Sequence, residues 1–249
     1  MHDDDLSVIE TADQLGEPLD FLDFARSELP PPNPELILPL LTDPDPSQRM
    51  LAARVFCELQ DQRAIAPLID LLNDICPLVR VSAAYALGRN TSPDAIGALI
   101  ELLQQDWNGY VRKGIVWALG NGGDRRALNP LIHAVKTDIS AVRLWAASSL
   151  ARIAKLEYED VIATIAPLVE GLRQDCVAAV RGNCAWAIGQ LCREIPSNIV
   201  YATAIDALIK ALAEDEDLGV KDDARNALLK VGDPRGLQMI EELELEGLI

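Results

Sequence analysis

The chain has 249 residues, of which 49% are hydrophobic and only 4% aromatic. Ala and Leu dominate the apolar residues, a composition that favours close packing of helices over the core of a β-sheet. The formal net charge is -17, whereas a nucleic-acid-binding protein would present a net basic face. We therefore expect an all-α protein that does not bind nucleic acid.

The N-terminal segment, residues 1–33, is acidic and contains the proline-rich sequence ELPPPNP. Residues 1–47 carry twelve acids and one base, whereas residues 48–209 carry equal numbers of both signs. This composition predicts a flexible segment. Its one apolar stretch, LDFLDF at 19–24, would dock either on the first repeat or on a partner.

The cysteines and the apolar runs bear on localisation. The five cysteines are an odd number and form no CxxC pair, which suits a reducing compartment. No apolar leader follows Met1, and no apolar run approaches the length of a membrane span. We expect a cytoplasmic protein without a membrane span.

The rest of the chain repeats one pattern around a basic residue. These anchors are Arg49, Arg80, Arg112, Arg143, Arg181 and Lys221, which lie 31, 32, 31, 38 and 40 residues apart. Repeats of this length in an Ala/Leu-rich chain are typical of a helical solenoid. We predict a right-handed α-solenoid of about five to six helix pairs over residues 34–249, and the longer spacings predict longer first helices in the last repeats.

Each repeat is expected to contain two helices. The first follows the pattern AxxPLIxLL, and the second begins near the anchor and ends near the glycine of ALG. That glycine would either adopt the left-handed conformation or allow close helix contact. An Asp generally precedes the second helix, and we expect the anchor arginine to pair with the Asp of the neighbouring repeat. The alternative is that the arginines contact a ligand.

The glycine-rich stretch GNGGD at 120–124 lacks the flanking elements of a phosphate-binding loop. No strand precedes it and no GK[ST] follows, so we expect a turn between two helices.

One face of the second helices remains after the core has been assigned. The third, fourth and seventh positions after each anchor are mostly small or aliphatic and form the predicted core. The second, fifth and ninth positions vary and should form a groove along the solenoid. Such a mixture of aromatic, guanidinium and amide groups is typical of binding surfaces. The predicted groove residues are Arg54, Tyr85, Arg89, Trp117, Asn121, Trp145, Arg152, Asn183, Trp186 and Gln190. The alternative is that Trp117 and Trp186 only pack between repeats.

Two features outside the groove leave alternatives open. Trp107 and Tyr110 lie between predicted helices, where they would form a second contact site at the edge of the repeats, take part in capping, or simply pack. Cys184 and Cys192 lie on one predicted helix, and they would be either buried apolar residues or ligands of a cluster shared with a partner.

Groups for catalysis are scarce in this sequence. The only histidines are His2 and His133, and no Ser-His-Asp, HExxH or Walker pattern is present. We expect a non-catalytic protein without an intrinsic cofactor or metal site.

The units VRVSAAYALG and VRKGIVWALGNGGDRRALNPLI resemble HEAT repeats of the phycobilisome-lyase type, which are widespread in cyanobacteria. The resemblance covers about residues 34–240, and the family includes bilin lyases, phycobilisome-degradation factors and scaffolds without lyase activity. The whole chain further resembles members that interact with the iron–sulfur carrier IscA, on the basis of its acidic N-terminal segment and the stretches DWNGYVRK and CAWAIGQLCREIPSNIVYATAIDALIKA.

The resemblance implies two functions. The first is an interaction scaffold whose partner is an iron–sulfur or redox protein such as IscA, with a cluster shared between them. The second is a bilin lyase subunit or bilin chaperone that works with a phycobiliprotein or a companion lyase chain. In that case Arg54, Arg89 and Arg152 would bind the bilin propionates, and Trp117, Trp145 and Trp186 would stack on the rings.

Overall fold

The structure is a computed structural model that describes residues 32–154 and 157–248. All of the regular elements in these residues are helices, so the all-α prediction is confirmed. The described residues fall into two compact units, the first ending at Ile153 and the second beginning at Ala154. The acidic residues 1–31 lie outside the described residues, and the domain boundary after residue 33 stays a prediction.

The first unit contains four helix pairs. The first helices of the pairs are α1 (Pro34–Ile37, continued by a 3-10 turn, Leu38–Thr42), α3 (Ile65–Leu71), α5 (Pro93–Gln105) and α7 (Leu128–Thr137). The second helices are α2 (Pro46–Val55), α4 (Pro77–Arg89), α6 (Gly109–Gly122) and α8 (Ser140–Ile153). Short 3-10 turns, Gln62–Ala64 and Arg125–Ala127, lead into α3 and α7.

The second unit contains two helix pairs and a final helix. The first helices are α9 (Tyr158–Gln174) and α11 (Ile199–Glu214), the second helices are α10 (Ala178–Cys192) and α12 (Leu218–Val231), and the chain continues into α13 (Pro234–Leu245). At 17 and 16 residues, α9 and α11 are longer than the 13-residue α5. The wider anchor spacing was therefore correctly assigned to longer first helices.

The second helices form the more closely packed layer of each unit. In the first unit α4 packs against α2 and α6, and α6 against α8, more extensively than α5 packs against α3 or α7. The predicted core positions are buried, as Ala83, Ala84 and Leu87 illustrate. In a curved stack of helix pairs the closer layer lies on the inside, so we call its solvent-facing side the inner surface.

Glycines make this close packing possible. A Cβ atom on Gly88 would lie 2.9 Å from the Cα of Ala118, and one on Gly120 would lie 3.0 Å from the Cα of Ser149. Of the two roles left open for the ALG glycine, close contact is therefore correct. The left-handed position of this turn is instead Gly123, which ends α6 and makes GNGGD a helix-to-helix turn, as predicted.

The anchor arginines form the predicted ladder in both units. Each of four arginines reaches the aspartate that precedes the next second helix, through the pairs Arg49–Asp74, Arg80–Asp106, Arg112–Asp138 and Arg181–Asp215, at 2.6 to 2.8 Å. Arg80 also donates to the carbonyl of Asp74 at 2.8 Å, while Asp74 accepts from the Cys76 amide. Burial raises the pKa of Asp74, but the hydrogen bonds from Arg49 and the Cys76 amide outweigh it and leave the pKa below its ordinary value. Each arginine thus ties its own loop to the following repeat.

Candidate functional site

The inner surface of the first unit is built on buried aromatic rings. Tyr85 and Trp117 occupy the fifth position of α4 and α6, and their ring centroids lie 5.4 Å apart at an interplanar angle of 58°. Both side chains are buried, with 3% of Trp117 exposed. The rings fit there because Gly88 and Gly114 leave room against the neighbouring helix.

Two cations lie over buried tryptophan rings of this surface. The guanidinium carbon of Arg89 lies 5.9 Å from the ring centroid of Trp117, and the Nζ atom of Lys113 lies 5.8 Å from that of Trp145. Cations at this distance are attracted by the electron-rich face of the ring. Burial lowers the pKa of Lys113, because the low-dielectric surroundings disfavour its charged form.

The ninth positions of neighbouring second helices are linked by hydrogen bonds. Arg152 donates to the Oδ1 atom of Asn121, and Asn121 in turn donates to the carbonyl of Gly88 at 3.3 Å. Arg152 and Arg89 are exposed, whereas Asn121 and Arg54 are half-buried. The inner surface of the first unit therefore consists of a buried aromatic layer beneath basic and amide groups.

The four second helices that form this surface carry charges of one sign only. The helices α2, α4, α6 and α8 contain no Asp or Glu. They contain eight basic residues, namely Arg49, Arg54, Arg80, Arg89, Arg112, Lys113, Arg143 and Arg152. Arg49, Arg80 and Arg112 are neutralised by the ladder. Arg143 donates to the carbonyl of Asp138 at 2.8 Å, and Arg54, Arg89, Lys113 and Arg152 are not part of the ladder pairs named above.

The second unit brings another part of the predicted groove together. Trp186 and Gln190 of α10 line a pocket of about 210 Å³ with Asp223, Asn226 and Lys230 of α12, while Asn183 is buried. The indole Nε1 atom of Trp186 is buried and has no hydrogen-bond partner among the described residues. Burial, with the charges of Asp222 and Asp217 as smaller causes, raises the pKa of Asp223 to about 6.

The predicted groove residues are thus divided between two surfaces, each described within its own unit. A continuous groove along the whole solenoid stays a prediction, as does the binding role of the ten residues. Trp117 and Trp145 pack between second helices, and the polar surface is formed by the groups above them.

Sequence reasoning missed Lys113, because only the tertiary structure places this side chain over a ring in the next repeat. The lack of acids in the inner helices was readable from the sequence.

The two cysteines considered as cluster ligands are buried. Cys184 and Cys192 lie in α10, and burial raises the pKa of the Cys192 thiol to about 12, far from a thiolate at neutral pH. No group of three or more His, Cys, Asp or Glu side chains in the described part of the chain is arranged to hold a metal ion.

The loops before the second helices form an apolar edge on the first unit. Trp107 and Tyr110 are 78% and 76% exposed, and Ile75 is 91% exposed in the equivalent loop of the preceding repeat. Packing, the alternative left open for Trp107 and Tyr110, is therefore wrong, and their role as a second contact site stays a prediction. His133 is exposed, beside Thr137, in a cleft between α5 and α7.

Comparison with known proteins agrees with this architecture. The sequence profile of HEAT repeats matches residues 34–114, 96–166 and 165–246. No curated protein matches the chain. Within the described residues, none of the helices has the length and hydropathy that a membrane crossing requires.

Three solved structures illustrate the similarity. An engineered protein is 26% identical over 80% of this chain and 98% of its own, with a TM-score of 0.61. A chain from the complex of CpcE and CpcF of phycocyanin lyase from Nostoc sp. PCC7120 is 25% identical, covering 88% of this chain and 84% of that chain, with a TM-score of 0.58. A designed armadillo repeat protein in complex with the peptide (KR)4 is 22% identical over 79% of this chain and 98% of its own, with a TM-score of 0.61, and shows the fold alone.

Proposed function

The chain belongs to the HEAT-repeat family, and from that premise we propose that it is a non-catalytic scaffold whose inner surface binds a partner protein. The observation that carries this proposal is the pair of cations held over buried rings, Arg89 over Trp117 and Lys113 over Trp145. Arginine and aromatic groups are enriched where protein interfaces gain most of their binding energy.

The partner proposed first is an iron–sulfur or redox protein such as the carrier IscA. The support is the sequence resemblance of the chain, including its acidic N-terminal segment, DWNGYVRK and the α10–α11 region, to HEAT proteins that interact with this carrier. With Cys184 and Cys192 buried, a shared cluster would need a rearrangement of α10, so binding through the inner surface is the part of this proposal that we test.

The test measures binding of purified IscA to the full chain by titration calorimetry. Arg89→Glu/Arg152→Glu should weaken binding at least tenfold, because both side chains are exposed on the inner surface. Arg173→Glu, a charge reversal of an exposed residue on α9, should leave the affinity within twofold. Equal affinity of the wild type and the double variant would remove the inner surface from the proposal, and no binding by the wild type would remove this partner.

The second candidate function is a bilin lyase subunit or bilin chaperone, acting on a phycobiliprotein with a companion chain. The similarity to the CpcE–CpcF structure supports it, and the pairing of cations with aromatic rings is compatible with propionate and ring binding. Phycocyanobilin added to the full chain should then give a red-shifted, sharper absorption band that Arg89→Ala or Arg152→Ala weakens. An unchanged spectrum, with and without a CpcF-type chain, would contradict this function.

We place the scaffold in the cytoplasm. All five cysteines are free thiols, the state that a reducing compartment maintains.

A further inference from the structure

We propose that the inner surface of the first unit selects an acidic, extended segment of the partner protein. This inference rests on the proposed scaffold function and adds the chemistry of the bound segment. It is carried by the charge of the surface and by the spacing of its cations.

The charge pattern is specific to this surface. The four inner helices of the first unit carry eight bases and no acid, although the chain as a whole has a net charge of -17. The second helix α12 of the other unit carries Asp222 and Asp223 beside its bases, so its face is mixed. Electrostatic complementarity of this kind fixes the preferred partner more than it sets the affinity. The surface is therefore complementary to carboxylates.

The position of the cations favours a segment over a single anion. Arg89 and Arg152 lie at the C-terminal ends of α4 and α8 with α6 between them, whereas Lys113 lies near the start of α6, and packed helices lie roughly 8–10 Å apart. An extended chain rises about 3.3 Å per residue. Arg89 and Arg152 are therefore two helix spacings apart, roughly 16–20 Å, and acidic side chains about five or six residues apart in an extended segment would reach both.

The buried surroundings of Lys113 favour a carboxylate beside it. Lys113 is half-buried over the Trp145 ring, and burial lowers its pKa. A carboxylate beside it would supply the opposite charge that favours the charged form.

The experiment uses the full chain and fluorescein-labelled octapeptides, measured by fluorescence anisotropy at 50 mM and 300 mM NaCl. The acidic probe alternates Glu and Asp, and the control peptide alternates Lys and Arg. We expect the acidic peptide to bind at least tenfold tighter than the basic one at low salt, and to weaken at high salt because salt screens exposed charges.

Matched variants locate the binding. Arg89→Glu/Arg152→Glu should reduce binding of the acidic peptide at least tenfold, Arg89→Gln/Arg152→Gln should give an intermediate loss, and Arg173→Glu should change it less than twofold. Circular dichroism melting confirms that each variant is folded. Because the glutamines keep the polar surface without its charge, the graded loss separates an electrostatic role from damage to the fold.

Several results would overturn the inference. These are equal binding of the two peptides, an affinity unchanged in the double variant, or displacement of the acidic peptide by an equimolar eight-residue oligothymidylate. A tenfold gain in affinity on Asp3→Asn/Asp4→Asn/Asp5→Asn would assign the surface to the acidic N-terminus of the chain itself. If the double variant loses IscA but the acidic peptide never binds, the scaffold function stands and the acidic specificity fails.

Discussion

At the scale of single residues, the tryptophans show how burial changes the role that a side chain can have in binding. Trp117 was predicted to line a groove, and its ring lies between α4 and α6 with Arg89 above it. A partner would therefore contact Arg89 first, and the ring would act by holding that cation in place. A loss of binding in a Trp117 variant would therefore not distinguish lost packing between α4 and α6 from lost contact with the partner.

The stability of tryptophan variants should separate these roles. We expect Trp117→Ala to lower the free energy of unfolding by about 3–5 kcal/mol, because it leaves a cavity between two helices. Trp107→Ala should change it by less than about 0.5 kcal/mol, since that side chain is 78% exposed. Urea unfolding of both variants measures the difference, and similar losses would contradict the burial.

Asp223 should make the stability of the second unit depend on pH. Burial raises its folded-state pKa to about 6, from an ordinary value of 3.8. Between these two values the folded state binds more protons than the unfolded state, so this group stabilises the fold at low pH and loses that contribution as the pH rises to about 6.

Asp223→Asn tests this dependence by removing the charge. The variant should be more stable than the wild type at pH 7.5, and the difference should shrink as the pH falls to 5. Glu241→Gln, on the exposed side of α13, should show no such trend in the same urea titrations. A difference between wild type and Asp223→Asn that is constant with pH would be inconsistent with the raised pKa.

At the scale of helices, glycine decides how closely the second helices approach. Gly120 and Gly189 lie inside α6 and α10, where glycine costs about 1 kcal/mol relative to alanine. A Cβ atom at either position would lie 3.0 Å from the Cα of the facing residue, Ser149 or Ala227. The gain in close packing offsets the poor helix propensity.

The same argument predicts opposite effects for two glycine-to-alanine substitutions. Gly120→Ala should destabilise the protein by about 1–3 kcal/mol, because the facing backbone must move to admit the methyl group. Gly97→Ala on α5 should stabilise it by about 0.5–1 kcal/mol, since nothing lies within 4 Å of the added atom. Thermal unfolding of the two variants tests the prediction, which fails if both substitutions change the melting temperature in the same direction.

At the scale of the whole molecule, the ladder connects repeats that contact mainly their neighbours. Arg80 and Asp106 form a buried bidentate pair, with 9% and 1% of their side chains exposed. Loss of one partner leaves an uncompensated buried charge. In a stacked chain such damage should remain near the altered repeat.

Arg80→Ala should therefore lower the stability of the first unit by about 3–5 kcal/mol. Native-state hydrogen exchange should accelerate in α4 and α6 and stay unchanged in α11 and α12. Glu35→Gln, which breaks an exposed pair with Arg63, should cost less than about 1 kcal/mol. Uniform acceleration of hydrogen exchange along the chain would show that damage to one repeat spreads to all of the others.

The sequence by itself determined the class of fold, the repeat and much of the ladder. Anchor residues at regular intervals, small residues at fixed positions and an Asp before each second helix are local features, and helix periodicity converts them directly into buried and exposed faces. The pairing of Arg80 with Asp106 could be predicted because an Arg anchor and a preceding Asp recur in most of the repeats.

Only the tertiary structure decided which groups of the predicted groove reach solvent. Of three residues at equivalent positions, Tyr85 and Trp117 are buried and Trp186 is half-buried, because burial depends on the glycines and side chains of the neighbouring helix. The position of Lys113 over Trp145 joins residues 32 positions apart, and no pattern within one repeat encodes it. Side-chain packing between repeats therefore determined the chemistry of the surface, whereas the sequence had determined the scaffold that carries it.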